Sequence, residues 1–364
     1  MQKAIGLATV ALASIFAFSA FAQDKVVNVY NWSDYIDDSI LADFTKETGI
    51  KVVYDVYDSN EILETKLLAG ATGYDVVVPT ASPFLARQIV AGVYQKLDKS
   101  KLPNMSNMWD SVATRVAAFD PGNEYSVNYM WGTTGIGYNT KKIKEALGID
   151  AIDSWDVVFK PENISKLADC GVYFLDSPTD IIPTALNYLG LPPDSSTSED
   201  IGKAEELLLS IRPSIRKFHS SEFINALANG DICLAVGFSG DLFQARDRAA
   251  EADQGVDIAY VIPKEGAEMW FDQMAIPADA PHPEEAHAFL NYMMKPEVIA
   301  KASNYVFYAN GNKASQPLMD AEITGDPAIY PDEAVMAKLF TVKPYDSKTQ
   351  RVVTRAWTRI VTGQ

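Results

Sequence analysis

"VVNVYNWSDYIDDSILADFTKETGIKVVYDVY", residues 26–57, carries the rhythm that decides the fold class. Val26, Val27, Val29 and Tyr30 are the β-branched and aromatic residues that a strand takes. Ile40, Leu41 and Phe44 then recur at helical spacing until Gly49 supplies a stop. "KVVYDVY" (51–57) returns to strand. A helix through "NEILETKLLAG" (60–70), a short apolar strand in "YDVVVP" (74–79) and a helix through "PFLARQIVAG" (83–92) continue the alternation. This β-α-β-α-β succession implies a parallel sheet with helices on both faces, and an almost wholly apolar strand suits a sheet that is covered on both sides.

The rhythm restarts further on. "WGTTGIGYN" (131–139) opens a second region, which includes a helix in "KAEELLLSI" (203–211) and a helix–strand–helix run in "EFINALANGDICLAVGFSGDLFQARDRAAE" (222–251). "PKEGAEMWFDQMAIPADA" (263–280) breaks it again and reads as a return crossing. A chain of 364 residues exceeds one ordinary core. Two α/β lobes joined by several crossings account for the length and for the absence of a flexible linker.

Residues 1–22 stand apart. Lys3 is their one charge, an apolar run extends from Ile5 to Phe18, and Ala20-Phe21-Ala22 offers the small-x-small pattern of a cleavage site. A signal peptide removed after Ala22 is expected, with the mature chain exported. Cys170 and Cys233 are the only cysteines, and in an oxidising compartment they are expected to pair. The formal net charge is −17, and loss of Lys3 makes it one unit more negative. Nucleic acid and anionic membranes are thereby disfavoured as partners, and cationic ligands are favoured.

Enzyme signatures are missing from the sequence. The three histidines, His219, His282 and His287, form no HExxH and none adjoins a cysteine. "GFSGD" (237–241) has the wrong spacing for a nucleophile elbow. Gly135 and Gly137 are too few for a dinucleotide loop. No metal and no cofactor is expected. What recurs is an aromatic beside a carboxylate at turns: Trp32-Ser33-Asp34-Tyr35, Phe238 with Asp241, and Trp270 with Asp272, joined by Tyr308 in "VFYANGN" (306–312) and by Asp176 and Asp180 in "FLDSPTD" (174–180). Each aspartate could be a helix cap and each ring could be core. Gathered at the C-terminal ends of parallel strands, where such folds bind ligands, they would suit an organic cation. Rings attract ammonium groups and cover methylenes, while carboxylates hold the ends.

"VYNWSDYI", "YDVVVPTAS", "YMWGTTGIGYN", "SWDVVFKPEN", "FHSSEFINALANGDICLAVGFSGD", "IPKEG" and "VFYANGN" resemble the periplasmic polyamine-binding proteins of bacterial ABC importers, over nearly the whole mature chain. The resemblance implies a two-lobed type II periplasmic-binding-protein fold, each lobe a sheet flanked by helices. It implies residues 23–136 and 268–308 in lobe 1, and 137–267 and 309–364 in lobe 2. It also implies a monomer that traps a polyamine between its lobes and hands it to permease subunits, without chemistry. Its ligand positions fall on Trp32, Ser33, Asp34, Tyr35, Thr80, Ser82, Asp180, Phe238, Asp241, Trp270, Asp272 and Tyr308, with Tyr345 near a polar position. Pro83 looks like an extra residue beside Ser82. Phe238 stands where a larger aromatic is common, and Trp270 stands where putrescine-type relatives tend to carry Phe. A larger ring at 270 and four aspartates, Asp34, Asp180, Asp241 and Asp272, lead to the expectation of spermidine over putrescine. A related binder of another amine-bearing solute, or a secreted enzyme, are the alternatives.

Overall fold

A computed structural model of the chain describes residues 25–364; the leader expected at 1–22 lies outside the described residues. The strands, in chain order, are β1 (Val26–Trp32), β2 (Lys51–Tyr57), β3 (Val76–Val77), β4 (Ser126–Asn139), β5 (Val172–Phe174), β6 (Lys217–Phe218), β7 (Leu234–Phe238), β8 (Ile258–Val261), β9 (Met269–Ala275) and β10 (Ala309–Asn310). β1 lies between β2 and β3 and is parallel to both. Helix α1 (Asp38–Thr48) and helix α2 (Asn60–Ala69) make the crossovers. Asp37 caps α1 by accepting from the Ser39 amide, and Gly49 ends it in the left-handed region at φ 72°, where only glycine is free of steric cost.

The third strand is shorter than its apolar run suggested, and the next helix starts late. Ser82 precedes Pro83 and is extended at φ −125° and ψ 136°, as the proline ring demands of the residue before it. A wide turn over Ala81–Leu85 results, and the regular helix runs over Ala86–Val90.

Two antiparallel strands join the lobes. β3 pairs with the end of β9, and β9 pairs with the first half of β4. Between Thr133 and Thr134, β4 exchanges β9 for β7, and β8 lies along its other edge. All fourteen residues of β4 are buried, as a strand running through both lobes must be. The result is a mixed α/β sheet in two lobes flanked by helices, the type II arrangement. One core gathers Ile136, Trp155, Phe174 and Phe223 on the second-lobe side; another gathers Val29, Phe44, Tyr129 and Phe289 on the first. β10 pairs with Met130 and Trp131 of β4, and the helix Ser347–Thr362 packs on the helix Ser198–Ile211. Among the described residues no helix is long and apolar enough to cross a membrane.

Cys170 and Cys233 form a disulfide with Cα atoms 5.5 Å apart. β5 and β7 are parallel neighbours with Val172 opposite Leu234, so the register brings the residues just before each strand together. The bridge closes a 63-residue separation inside one lobe, worth roughly 4 kcal/mol in the chain-entropy treatment. Reduction is expected to lower the denaturant midpoint while changing ligand affinity less than about threefold. Denaturant melts and titrations with and without reductant check this.

Candidate functional site

Each lobe supplies its side chains from strand ends. From the first come Trp32 at the end of β1, Ser33 and Tyr35 after it, Asp58 and Asn60 after β2, Thr80, Ser82 and Phe84 after β3, and Tyr308. From the second come Thr179, Asp180, Ser220, Ser221, Phe238 and Asp241. Strand β9 contributes Trp270 and Asp272, with Glu268 just before its first residue. Together they line one cavity.

Three aspartates converge there, and each is held. Asp272 accepts from Tyr35 Oη at 2.8 Å and from Thr80 Oγ1 at 2.7 Å. Thr80 is oriented in turn by Asn60 Nδ2 at 2.9 Å. Asp241 accepts from Tyr308 Oη at 2.7 Å, and its own amide donates back to that oxygen at 3.1 Å. Gly240 makes this possible: a Cβ there would meet the Tyr308 ring at 2.3 Å. Asp180 accepts from Thr134 Oγ1 at 3.0 Å and from Ser177. None of the three acids caps a helix with its carboxylate.

The rings form a continuous edge-to-face series. Trp32 meets Phe238 with centroids 6.1 Å apart, Phe238 meets Trp270 at 5.6 Å, Trp270 meets Tyr308 at 5.3 Å and Tyr308 meets Tyr35 at 5.2 Å. The series crosses from lobe to lobe, so the lobes are closed on each other. Trp32, Phe238, Trp270, Tyr308 and Tyr35 all line the cavity, and aromatic rings attract ammonium groups through their faces. No Lys or Arg lines the cavity among the described residues.

The cavity is therefore electrostatically unbalanced by its own residues. Removal from water raises Asp241 and Asp272 to about 7 and Asp180 to about 6, against the opposing hydrogen bonds from Tyr308, from Thr80 and Tyr35, and from Ser177 and Thr134. Only a cation offered from outside the protein restores the ionised forms at neutral pH without cost.

Eleven of the twelve expected residues line the cavity; Asp34 does not. The first turn after β1 puts Asp34 in the left-handed region at φ 54°, and its carboxylate turns outward to accept from Arg248 Nη2 at 2.7 Å. Arg248 lies on the helix Ser239–Ala252 of the other lobe, so Asp34 joins the lobes. Ser82 lines the cavity, but its hydroxyl donates to the Val342 carbonyl. Ser33 donates to Asp58 at 2.7 Å, and Trp32 donates through Nε1 to the Val78 carbonyl at 2.9 Å. Tyr345 is not a lining residue. Asp176 faces away and accepts from Trp357. The residues missed are Asp58, Asn60, Phe84, Thr179, Ser220, Ser221 and Glu268. Glu268 had a signal, since it alternates with Trp270 and Asp272 along one strand.

The chain matches the family described as bacterial extracellular solute-binding protein over residues 39–331. It belongs to that family. It is 56% identical over 368 residues, covering 100% of both chains, to the putrescine-binding periplasmic protein SpuD of Pseudomonas aeruginosa. It is 54% identical, over 99% of this chain and 97% of the relative, to the putrescine-binding periplasmic protein PotF of Escherichia coli. Among solved structures, the spermidine/putrescine ABC transporter substrate-binding protein PotD of Streptococcus pneumoniae superposes with a TM-score of 0.76 at 29% identity, over 93% of this chain and 99% of that one. The two relatives above half identity are named for putrescine alone, so the expectation of spermidine over putrescine is not supported.

The raised carboxyls give the site a pH dependence of defined sign. A bound ammonium needs them ionised, so the affinity of the closed form should fall as pH drops through 7 and 6, by at least about tenfold between pH 8 and pH 6. In the ligand-free closed form the sign of the stability contribution is the reverse. These folded-state values exceed the unfolded ones, so their stability contribution is complete below about pH 4 and is lost as pH rises through 6 to 7. Calorimetric titration with putrescine at pH 6, 7 and 8 checks the first statement: a fall shows that the free protein keeps the closed, proton-binding form, and a flat profile shows that its acids are solvated in an open cleft and refutes it.

Proposed function

We propose that the protein is a periplasmic receptor that captures a polyamine of the putrescine class between its lobes and delivers it to the permease subunits of an ABC importer. The observation that carries this reading is the pair Asp241 and Asp272. Asp272 is buried and Asp241 half-buried, both are oriented by tyrosine hydroxyls, and both face a ring-lined cavity with no cation of its own. One ammonium of a diamine would meet these carboxylates, and the rings would cover the methylenes. The names of the relatives, and the leader expected at 1–22, support the ligand class and the periplasmic setting. Nothing in the site calls for a nucleophile, so binding without turnover is the expected activity.

Capture follows from closure. An open cleft solvates the aspartates. Closing it around a diamine exchanges their hydration for charge-assisted hydrogen bonds, and closing it empty does not. Arg248 and Asp34 meet at the rim once the lobes are together. Both are partly exposed, so this pair is a weak latch that shapes release more than affinity.

Asp241→Asn and Asp272→Asn should each weaken putrescine binding at least about 30-fold, the loss of one partner of a buried charged bond being roughly 2–5 kcal/mol. The ligand-free melting temperature should hold or rise. Calorimetric titration with putrescine, cadaverine, spermidine and spermine, beside thermal melts, is the measurement, and unchanged affinity in both variants would sink the reading. Arg248→Ala should cost no more than about fivefold in affinity and act through faster dissociation, an effect that salt also produces in the wild type. Stopped-flow release kinetics distinguish it from a loss of association rate.

A further inference from the structure

Glu268 is the buried acid that the proposed site leaves unused. It lies four residues before Asp272 and two before Trp270, and all three line the cavity. Alternate positions of an extended strand share a face, so the strand presents acid, ring and acid in a row spanning roughly 13 Å of backbone. Glu268 is 4% exposed, and its Oε2 has no hydrogen-bond partner among the described residues. Its backbone is fixed, with the carbonyl accepting from the Thr134 amide at 3.0 Å. The side chain therefore points into the cavity from a rigid base.

An unpartnered buried carboxyl is costly and calls for a reason. Asp180, on the same side of the cavity, is close enough for its charge to oppose ionisation of Glu268, and its own oxygens are occupied by Ser177 and Thr134. Glu268 thus stands four strand positions from Asp272 along the cavity wall, with an oxygen free to accept a hydrogen bond.

We propose that Glu268, beside Asp180, anchors the far cationic end of the ligand and makes the site select for molecules with a second positive group. The chemistry is a terminal cation bearing several N–H donors, either an ammonium or a guanidinium. This inference rests on the reading of the cavity as a polyamine site. In it, Asp241 and Asp272 hold the near ammonium, Trp270 covers the methylenes, and Glu268 takes the far end.

The test is titration calorimetry of wild type, Glu268→Gln and Glu268→Met with three probes: butylamine, which has one cation; putrescine, which has two ammoniums; and agmatine, which ends in a guanidinium. In the wild type both dications should bind more tightly than butylamine. Each variant should cut that advantage at least about tenfold, leave butylamine within about threefold, and melt no lower than the wild type, because an unpartnered buried carboxyl has been removed. The dication that loses more identifies the preferred far end. Variants that keep the wild-type ratio overturn the proposal alone. An equal loss on all three probes with a lowered melting temperature assigns Glu268 to the core and also overturns it. A wild type that binds none of the three overturns the polyamine reading itself, a result distinct from either.

Discussion

Carboxylates desolvated without a counter-ion are the constraint on which this structure turns. Asp180, Asp272 and Glu268 are buried around one cavity, and Asp241 is half-buried beside them. Hydrogen bonds from Tyr35, Thr80, Tyr308, Thr134 and Ser177 soften the cost for three of them without removing it, as their raised proton affinities show. Such a site is unstable toward opening, protonation or ligand. Across the cleft the lobes meet through the ring series, the Tyr308–Asp241 hydrogen bonds and the partly exposed Arg248–Asp34 pair. Ligand control of closure follows from electrostatics and needs no separate trigger.

The scaffold makes those acids possible. Each is set by an element that cannot relax: Asp272 by β9, which is paired on both edges along part of its length; Asp241 by the first turn of a helix packed against β4; Asp180 by the first turn of the helix Pro178–Tyr188. The positive end of a helix favours a carboxylate in its first turn, which gives Asp180 and Asp241 some compensation that Glu268 lacks. β4 and β9 run together where the lobes meet, so the acids on β9 and the ring at Trp270 sit at the seam of the molecule. Lobe rotation then moves Asp241 and Phe238 relative to Asp272 and Trp32.

The local rhythm of strands and helices was legible because it depends on neighbours in the chain. Gly49 stops α1 where its spacing says it should, and β2 spans the seven residues of "KVVYDVY". Site residues that project from strand ends were legible for the same reason, since Trp32, Asp241 and Asp272 stand in acid–aromatic pairs. What escaped depends on distant partners. Asp34 lies between Trp32 and Tyr35, both of which line the cavity, yet one left-handed residue turns it toward an arginine 214 positions away. β10 is too short to announce itself and exists because β4 offers an open edge. Glu268 lies before the strand's acid–aromatic pair, where only the period of two marks it.

Ring size is a weak guide to the choice between polyamines, and the magnitudes say why. A cation over an aromatic face gains roughly 0.5–2 kcal/mol, whereas one partner of a buried charged hydrogen bond is worth roughly 2–5 kcal/mol. Exchanging Phe for Trp at position 270 alters only part of the smaller quantity. Trp270 is also packed edge-on against Phe238 and Tyr308, so its extra surface is largely spent on its neighbours. Counting acids is a weak guide as well, because Asp34 was among the four and is neutralised by Arg248 outside the cavity. Selectivity in such a site is governed by where the carboxylates end along the cavity and by which of them remain unpaired until the ligand arrives, while the rings set the width of the passage between them.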